Sequence, residues 1–278
     1  MVTYTEDFFE FVRDGSIKSA KEIIPIIFDL IHPKSVIDVG CGTGTWLSVF
    51  QEHGVENIWG VDGDYVDKKN LEIPEDRFLS FDLKSPFSLD RQFDLVVSLE
   101  VAEHLPQDCA ETFVDSLTRL GAVILFSAAI PFQGGTEHIN EQWLDYWAKY
   151  FQEKGYVAID CIRNKVWQND NVEFWYAQNM LIFAKKDYLE LPNYYLLRKH
   201  FEVSSSNQLS IVHPKKYLEL VEKCIAETKA AEWYAAEAEK YLVASEPKNM
   251  SLNKVLSALP IVIINTLKKK LFPKNNRT

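Results

Sequence analysis

The stretch VIDVGCGTGTW, Val36 to Trp46, places three glycines within five residues directly after a run of apolar, mostly β-branched side chains. β-Branched residues favour strands, and a short apolar run bounded by turn residues is typical of a buried strand. Because glycine has no Cβ, Gly40, Gly42 and Gly44 permit positive φ angles and let a ligand lie against bare backbone. The stretch therefore predicts a buried strand, a tight loop at its carboxyl end and a bound cofactor on that loop.

The rest of the chain up to about residue 186 alternates between strand and helix patterns. Ser16 is expected to cap the first helix, and Asn140 the fourth. Alternation at this pace predicts an α/β fold with a mostly parallel sheet and helices on both faces. Strands are predicted at 35–40, 57–62, 78–83, 93–100, 122–130, 156–163 and 176–186, and helices at 16–31, 45–54, 109–120 and 141–155.

Four segments are expected along the chain. Residues 1–34 form an N-terminal helical cap, 35–186 the main catalytic domain, and 187–250 a connector followed by one long helix from 213 to 245. Residues 251–278 form a basic amphipathic tail with six basic and no acidic side chains. Two interpretations of the tail stay open: contact with an anionic membrane surface, or packing against the protein or the second copy in a homodimer.

Composition restricts the class of protein. The formal net charge of −10 argues against a nucleic-acid-binding protein that relies on a broad basic surface. The four cysteines are scattered without a CxxC pair, which indicates reduced cysteines rather than a disulfide framework or a zinc site. We expect no signal peptide, because the first residues are partly acidic and contain no long apolar run, and no run reaches the roughly 20 apolar residues of a membrane-spanning helix. We therefore expect a cytoplasmic protein, either free or peripheral to the inner face of the membrane.

The glycine loop distinguishes between two classes of cofactor. A dinucleotide fingerprint requires G-x-G-x-x-G, whereas here Thr45 stands where the third glycine belongs. The segment DVGCGTG resembles motif I of the class I S-adenosylmethionine-dependent methyltransferases. This resemblance implies a Rossmann-like class I methyltransferase fold with a seven-stranded, mostly parallel sheet, a C-terminal helical extension beyond it, and S-adenosylmethionine as the cofactor.

The resemblance also assigns residues to parts of the cofactor. Asp62, at the end of the second strand, would accept hydrogen bonds from both ribose hydroxyls. Asp82 would meet the adenine amino group, and Asp38 would meet the amino-acid end of the cofactor. The residues implied to contact the cofactor are Asp38, Gly40, Cys41, Gly42, Gly44, Trp46, Asp62, Gly63, Asp82, Leu83, Leu99 and Glu100.

The block EVAEHL, together with a later histidine, carries the catalytic hypothesis. Glu100, Glu103 and His104 have the spacing i, i+3, i+4, which places them on one face if a helical turn begins there. With His138, which follows the fifth strand, they resemble the small-RNA 2′-O-methyltransferases and the ubiquinone-pathway O-methyltransferases. The first of these families implies that Glu100, Glu103, His104 and His138 bind Mg²⁺ or another divalent cation.

Other interpretations of the same residues stay open. His138 could act without metal as a general base, with His104 and Glu103 as further catalytic residues. The histidines and carboxylates could also have structural roles only. Because the chain shows no basic RNA-binding module, we expect a small-molecule or glycan acceptor and no nucleic acid.

The nature of the acceptor is suggested by a narrower resemblance. The segments AAIPFQGGTEHINEQW and WYAQN are similar to bacterial methyltransferases of glycan and secondary-metabolite assembly, which implies O-methylation of a sugar hydroxyl. Alternatives are N- or O-methylation of a natural product or peptide, and a non-catalytic protein that only binds S-adenosylmethionine. Six aromatic residues between 143 and 176 could either pack in the core or form a surface on which the acceptor stacks. They are Trp143, Tyr146, Trp147, Trp167, Trp175 and Tyr176.

Overall fold

The computed structural model describes residues 6–204 and 208–244. The chain divides into two compact units, residues 1–213 and 214–278. The expected tail, 251–278, lies outside the described residues. The strands are β1 (Ser35–Val39), β2 (Asn57–Asp62), β3 (Phe78–Ser80), β4 (Leu95–Leu99), β5 (Val123–Ser127), β6 (Tyr156–Ile159) and β7 (Leu181–Lys185). The α-helices are α1 (Glu6–Ile31), α2 (Thr45–Glu52), α3 (Ala110–Leu120), α4 (Leu144–Glu153), α5 (Arg163–Val166), α6 (Phe174–Asn179), α7 (Tyr195–Val203) and α8 (Pro214–Ala244).

The seven strands form one sheet in the order β3-β2-β1-β4-β5-β7-β6. Strands β1 to β5 are parallel, and β7 runs antiparallel to both β5 and β6. The strand order reverses between β1 and β4, so the carboxyl ends of these two strands border the crevice in which such sheets bind ligands. The predicted seven-stranded, mostly parallel sheet is confirmed.

Helices cover both faces of the sheet, as predicted. Along the central strands β1, β4 and β5, successive side chains point to opposite faces and nearly all are buried, which is why these strands are almost continuous apolar runs. On one face, Val36 and Leu95 pack with Ile23 of α1 and Phe50 of α2. The opposite face packs against α3 and α4, with a core of Ile37, Val96, Phe126, Leu117, Trp147 and Phe151.

Two predicted helix starts are wrong. Helix α1 begins at Glu6, so Ser16 lies inside it, and its hydroxyl shares a hydrogen bond of 3.1 Å with the Tyr176 hydroxyl. A glycine inside a helix suggests a boundary, but Gly15 has a packing reason, because a Cβ there would lie 2.5 Å from Glu173 Oε1. Helix α4 begins at Leu144, and Asn140 lies in the preceding loop without capping it.

Every predicted strand except β2 is shorter in the structure; β5 and β6, for example, end at Ser127 and Ile159 rather than at 130 and 163. The shortening of β3 and β7 affects residues that were predicted to line the site. Strand β3 ends at Ser80, so Asp82 and Leu83 belong to the following turn. Residues 176–179 form the end of helix α6, and β7 begins only at Leu181. In both cases the segment next to the strand also contains buried residues. The pattern of buried and exposed residues alone cannot show whether such residues belong to the strand or to the segment beside it.

The second unit is described by α8. Its 31 residues agree with the long helix predicted at 213–245, and its side chains up to Lys240 are mostly exposed. Within the described ranges, every helix is too short or too polar to span a bilayer.

Candidate active site

The glycine loop connects the end of β1 to the start of α2. Gly40, Gly42 and Gly44 all have positive φ, at 88°, 54° and 88°. A Cβ on Gly40 would lie 2.2 Å from Val101 Cγ2, so this position requires glycine. A Cβ on Gly42 would meet no atom of the described chain within 4 Å, so its backbone is open to a ligand. The loop therefore combines one glycine required by packing with another that exposes bare backbone.

Asp62, at the end of β2, holds this loop. Its Oδ2 accepts a hydrogen bond of 2.7 Å from the Gly42 N–H, and its Oδ1 accepts one of 2.7 Å from the Gly63 N–H. The Tyr65 hydroxyl donates to the same Oδ1, although the tyrosine ring is exposed. Partial burial and the charge of Asp62 raise the pKa of Tyr65, so the phenol stays protonated and acts as a donor.

The neighbouring predicted cofactor residues differ in accessibility. Asp38 is buried, and its pKa is well above the ordinary value because of burial and then the nearby charge of Asp62. Burial and the charges of Asp38 and Asp62 likewise raise the pKa of the Cys41 thiol. Trp46 is also buried, and its indole N–H donates to the Tyr176 hydroxyl at 3.4 Å. These three side chains support the loop from within the core.

The turn after β3 lies next to Asp62. The Phe81 N–H donates to the Asp62 carbonyl at 2.7 Å, and Asp82 accepts the Lys84 N–H at 3.1 Å. Asp82 is exposed and Leu83 is buried beneath it. The two predicted acidic contacts to the cofactor therefore come from adjacent segments at one edge of the sheet.

Glu100 follows β4 directly and is held by a network that the sequence analysis missed. It has a positive φ of 54°, and its N–H donates to the Ser127 carbonyl at 3.0 Å. Its carboxylate accepts hydrogen bonds from Gln133 at 2.8 Å and from Asn179 at 3.2 Å. Burial raises the pKa of Glu100, and these hydrogen bonds oppose the rise. The WYAQN segment, which ends at Asn179, resembles bacterial methyltransferases, but nothing in the nearby sequence indicates that Asn179 binds Glu100.

Three of the four predicted metal ligands converge. Glu103, His104 and His138 each place one donor atom within 4.8 Å of the others, whereas Glu100 is outside this group because its carboxylate faces the two amides. The rings of His104 and His138 meet edge to face, with centroids 4.8 Å apart. Residues 102–104 form a 3₁₀ helix, not the α-helical turn that the spacing of Glu100, Glu103 and His104 predicted. Of these three residues, only Glu103 and His104 therefore join the cluster.

The carboxyl group of Glu103 is the polar group of this cluster that the described chain satisfies least. Glu103 is fully buried, and neither carboxylate oxygen makes a hydrogen bond of good geometry with the described residues, although the backbone N–H groups of Glu103 and Ala129 lie near enough to oppose the rise in its pKa. Burial and then the charge of Glu100 raise its pKa well above the ordinary value. Desolvation and then the neighbouring His138 lower the pKa of His104. A buried carboxylate without good hydrogen bonds is costly, and a cation beside it would remove that cost, so the cluster fits a divalent ion.

The backbone of Gly135 packs closely over the ring of His138. A Cβ on Gly135 would lie 2.2 Å from His138 Nε2, so only glycine can pass over this nitrogen. The other ring nitrogen, Nδ1, lies 3.0 Å from Glu141 Oε1, a contact that the sequence analysis also missed. The only feature of the sequence that could have indicated this contact is that Glu141 lies three residues after His138. A separate groove of about 760 Å³, lined by residues such as Asp160, Trp167 and Gln168, contains none of the predicted cofactor, catalytic or metal-binding residues, although Trp167 belongs to the aromatic group considered for the acceptor.

Comparison with known proteins finds one sequence family and several similar solved structures. A family model described as a methyltransferase domain matches residues 13–170. Among solved structures, the methyltransferase domain of bacterial CtHen1 is 20% identical over 61% of this chain and 98% of that chain, with a TM-score of 0.45. The magnesium protoporphyrin IX methyltransferase ChlM from Synechocystis PCC 6803 is 16% identical over 67% of this chain and 90% of its own, with a TM-score of 0.46. No curated protein sequence matches the chain.

A glycine loop after β1 and an acidic residue at the end of β2, in a sheet of this order, define the class I S-adenosylmethionine-dependent methyltransferases. The matched segment is more than half of the 278 residues, and the chain belongs to this methyltransferase-domain family. The predicted enzyme class is confirmed.

Proposed function

We propose that this methyltransferase transfers the methyl group of S-adenosylmethionine to a hydroxyl of a sugar or glycan-type small molecule. The observation that carries the proposal is the cluster of Glu103 and His104, just after β4, with His138, which follows β5. A hydroxyl is a weak nucleophile until its proton leaves, and a carboxylate with two imidazoles can promote that loss. An amine that is already neutral would not need such a cluster.

The cofactor is proposed to lie over the glycine loop. The open backbone at Gly42 would receive it, and Asp62 would bind its ribose hydroxyls. The sulfonium is already a good leaving group, so the main contribution of the protein is to hold the acceptor oxygen in line with the methyl carbon. Such positioning can supply up to about 11 kcal/mol of the barrier.

Glu103, His104 and His138 are proposed to hold a divalent cation. When bound, an ion of this kind supplies positive charge that favours the deprotonated form of a hydroxyl. Mg²⁺ prefers oxygen ligands, whereas imidazole ligands suit the first-row transition metals. Since the fourth predicted ligand, Glu100, is held by Gln133 and Asn179, the donor set of two imidazoles and one carboxylate favours a transition-metal ion over Mg²⁺, and Mn²⁺ serves as the probe ion in the tests below.

The surroundings of the cluster support an acceptor with an apolar face. Phe132, Ile139 and Trp143 lie on the segment that carries His138, and their side chains are 78%, 63% and 41% exposed. Exposed aromatic rings commonly contact the C–H face of a sugar or the ring of a natural product. An aromatic natural product is therefore the second candidate acceptor. Trp147, by contrast, is fully buried in the core, as the packing interpretation expected.

The acceptor class can be tested with the full chain and S-adenosylmethionine. Release of S-adenosylhomocysteine would be measured against free sugars, nucleotide sugars, amino sugars and catechols, with Mn²⁺ present. We expect turnover with a sugar hydroxyl and a ¹³C-methyl NMR signal at the shift of a methyl ether. A product methylated on nitrogen, or turnover with catechols alone, would contradict the sugar O-methylation proposal.

Removal of the Tyr65 hydroxyl is expected to strengthen cofactor binding. In the structure this hydroxyl occupies Asp62 Oδ1, the atom proposed to accept from the ribose, so cofactor and tyrosine would compete. Loss of one competing hydrogen bond is worth about 1 kcal/mol, so Tyr65→Phe should bind S-adenosylhomocysteine roughly fivefold more tightly in calorimetry. Weaker binding would show instead that the hydroxyl contributes to the cofactor site.

Binding to a membrane and formation of a homodimer stay predictions. Peripheral binding to an anionic membrane through residues 251–278, and formation of a homodimer, both depend on a segment outside the described residues.

A further inference from the structure

Glu141 is bound to three groups of the segment that precedes it. Its Oε1 lies 3.0 Å from His138 Nδ1 and accepts the Gly134 N–H at 2.7 Å, and its Oε2 accepts the Phe132 N–H at 2.8 Å. We propose that Glu141 is a positioning residue, which orients His138 for the reaction and holds the Phe132–His138 backbone in the shape that this requires. The proposal rests on the role of His138 in the proposed function.

The first argument concerns the histidine tautomer. A carboxylate only accepts hydrogen bonds, so Nδ1 must carry the proton in its contact with Glu141. In the neutral ring, Nε2 then has a free lone pair. Gly135 passes over Nε2 so closely that any side chain there would overlap with it. The contact of Nδ1 with Glu141 therefore leaves Nε2 as the nitrogen that can bind an ion or accept a proton.

The second argument concerns the backbone. Phe132 and Glu137 have positive φ angles of 68° and 59°, which are unfavourable for residues with side chains and are maintained only where surrounding contacts enforce them. Glu141 supplies two such contacts through the N–H groups of Phe132 and Gly134. It therefore holds the exposed Phe132 ring and the His138 ring on the same short segment.

The third argument is that Glu141 is itself held in place. The N–H groups of Ile139 and Asn140 donate to the Glu103 carbonyl at 2.9 and 3.0 Å, and the Gln142 N–H donates to the Ala129 carbonyl at 3.1 Å. The Glu141 side chain is 19% exposed and that of His138 is 12% exposed. These backbone hydrogen bonds, on both sides of Glu141 in the sequence, fix the position of its backbone relative to Glu103 and to the residues that follow β5.

The test uses Glu141→Gln in the full chain. The amide keeps the size of the side chain, but its NH₂ group must face either both Nδ1–H and the Gly134 N–H, or the Phe132 N–H. We expect kcat to fall at least tenfold, while the affinity for S-adenosylhomocysteine and the midpoint of urea unfolding change little. Asp145→Asn is the matched control, because Asp145 is an exposed carboxylate one turn later, in α4, and its variant should keep wild-type kcat.

A second measurement reports on orientation directly. In ¹⁵N-histidine NMR of the metal-free wild-type protein at alkaline pH, the His138 signal, assigned by its absence in His138→Asn, should be that of a ring protonated on Nδ1. Glu141→Gln should shift it towards a tautomer mixture. A wild-type ring protonated on Nε2 would overturn the proposal even if the variant fails to fold.

The outcomes also separate this inference from the proposed function. An unchanged kcat in Glu141→Gln together with an inactive His138→Ala would overturn the positioning role alone. Equal losses of kcat, cofactor affinity and unfolding midpoint would make Glu141 a structural residue and overturn it as well. Full activity in His138→Ala would instead remove the proposed role of His138.

Discussion

His138→Ala is expected to lower kcat by at least about 100-fold, because general acid–base catalysis or a bound ion each contribute roughly 10²–10⁴ to such reactions. His138 meets His104 edge to face, and its donor atom lies within 4.8 Å of Glu103 and His104. The measurement is release of S-adenosylhomocysteine with the sugar acceptor. Affinity for the cofactor should stay within a few-fold of wild type, since none of the contacts of Asp62 involves His138.

The same assay distinguishes a metal ion from a lone base. If Glu103, His104 and His138 hold a cation, a chelator should abolish turnover, Mn²⁺ should restore it, and Glu103→Gln should lose as much activity as His138→Ala. His53→Ala is the matched control, because His53 lies at the opposite end of α2 from the glycine loop and is exposed. Turnover that resists a chelator, combined with an inactive His138→Ala, would remove the metal and keep His138 as the base.

Asp62→Ala is expected to weaken binding of S-adenosylhomocysteine by at least about 100-fold. Hydrogen bonds to a charged group are worth about 1.5–3 kcal/mol each, and two ribose hydroxyls are proposed to donate to this carboxylate. The variant also removes the acceptor for the Gly42 and Gly63 N–H groups, so the loop itself loses support. Calorimetry gives the affinity, and urea unfolding shows how much of the loss comes from stability.

Asp64→Asn is the matched control for this prediction, because Asp64 is an exposed carboxylate in the same loop. It should bind the cofactor as the wild type does. Unchanged affinity in Asp62→Ala would contradict the assignment of the ribose contact to Asp62, although it would leave the methyltransferase class unaffected. Equal weakening in both variants would indicate a general effect of charge near the loop.

Local sequence determined the framework of the site. The β-branched run before Gly40 forms β1, and the three glycines adopt the positive φ angles that their spacing indicated. The alternation of strands and helices predicted the sheet because periodicity reports which side chains are buried within one element. Periodicity defines the ends of helices and strands less accurately. For that reason Ser16 was predicted at the start of a helix that begins at Glu6, and Asp82 was predicted in a strand that ends at Ser80.

Tertiary structure decided which polar groups meet. Glu100 and Glu103 are equivalent in the sequence pattern, but Glu100 turns at a positive φ towards Gln133 and Asn179, while Glu103 is buried without a side-chain hydrogen bond of good geometry in the described chain. Asn179 is 79 residues from Glu100 and reaches it only because β7 pairs with β5 beside β4. Side-chain spacing specifies neighbours within one turn of chain, whereas contacts between elements depend on the packing of the whole sheet. The sequence therefore determined the cofactor loop and the candidate catalytic residues, and only the fold decided which of them form the cluster.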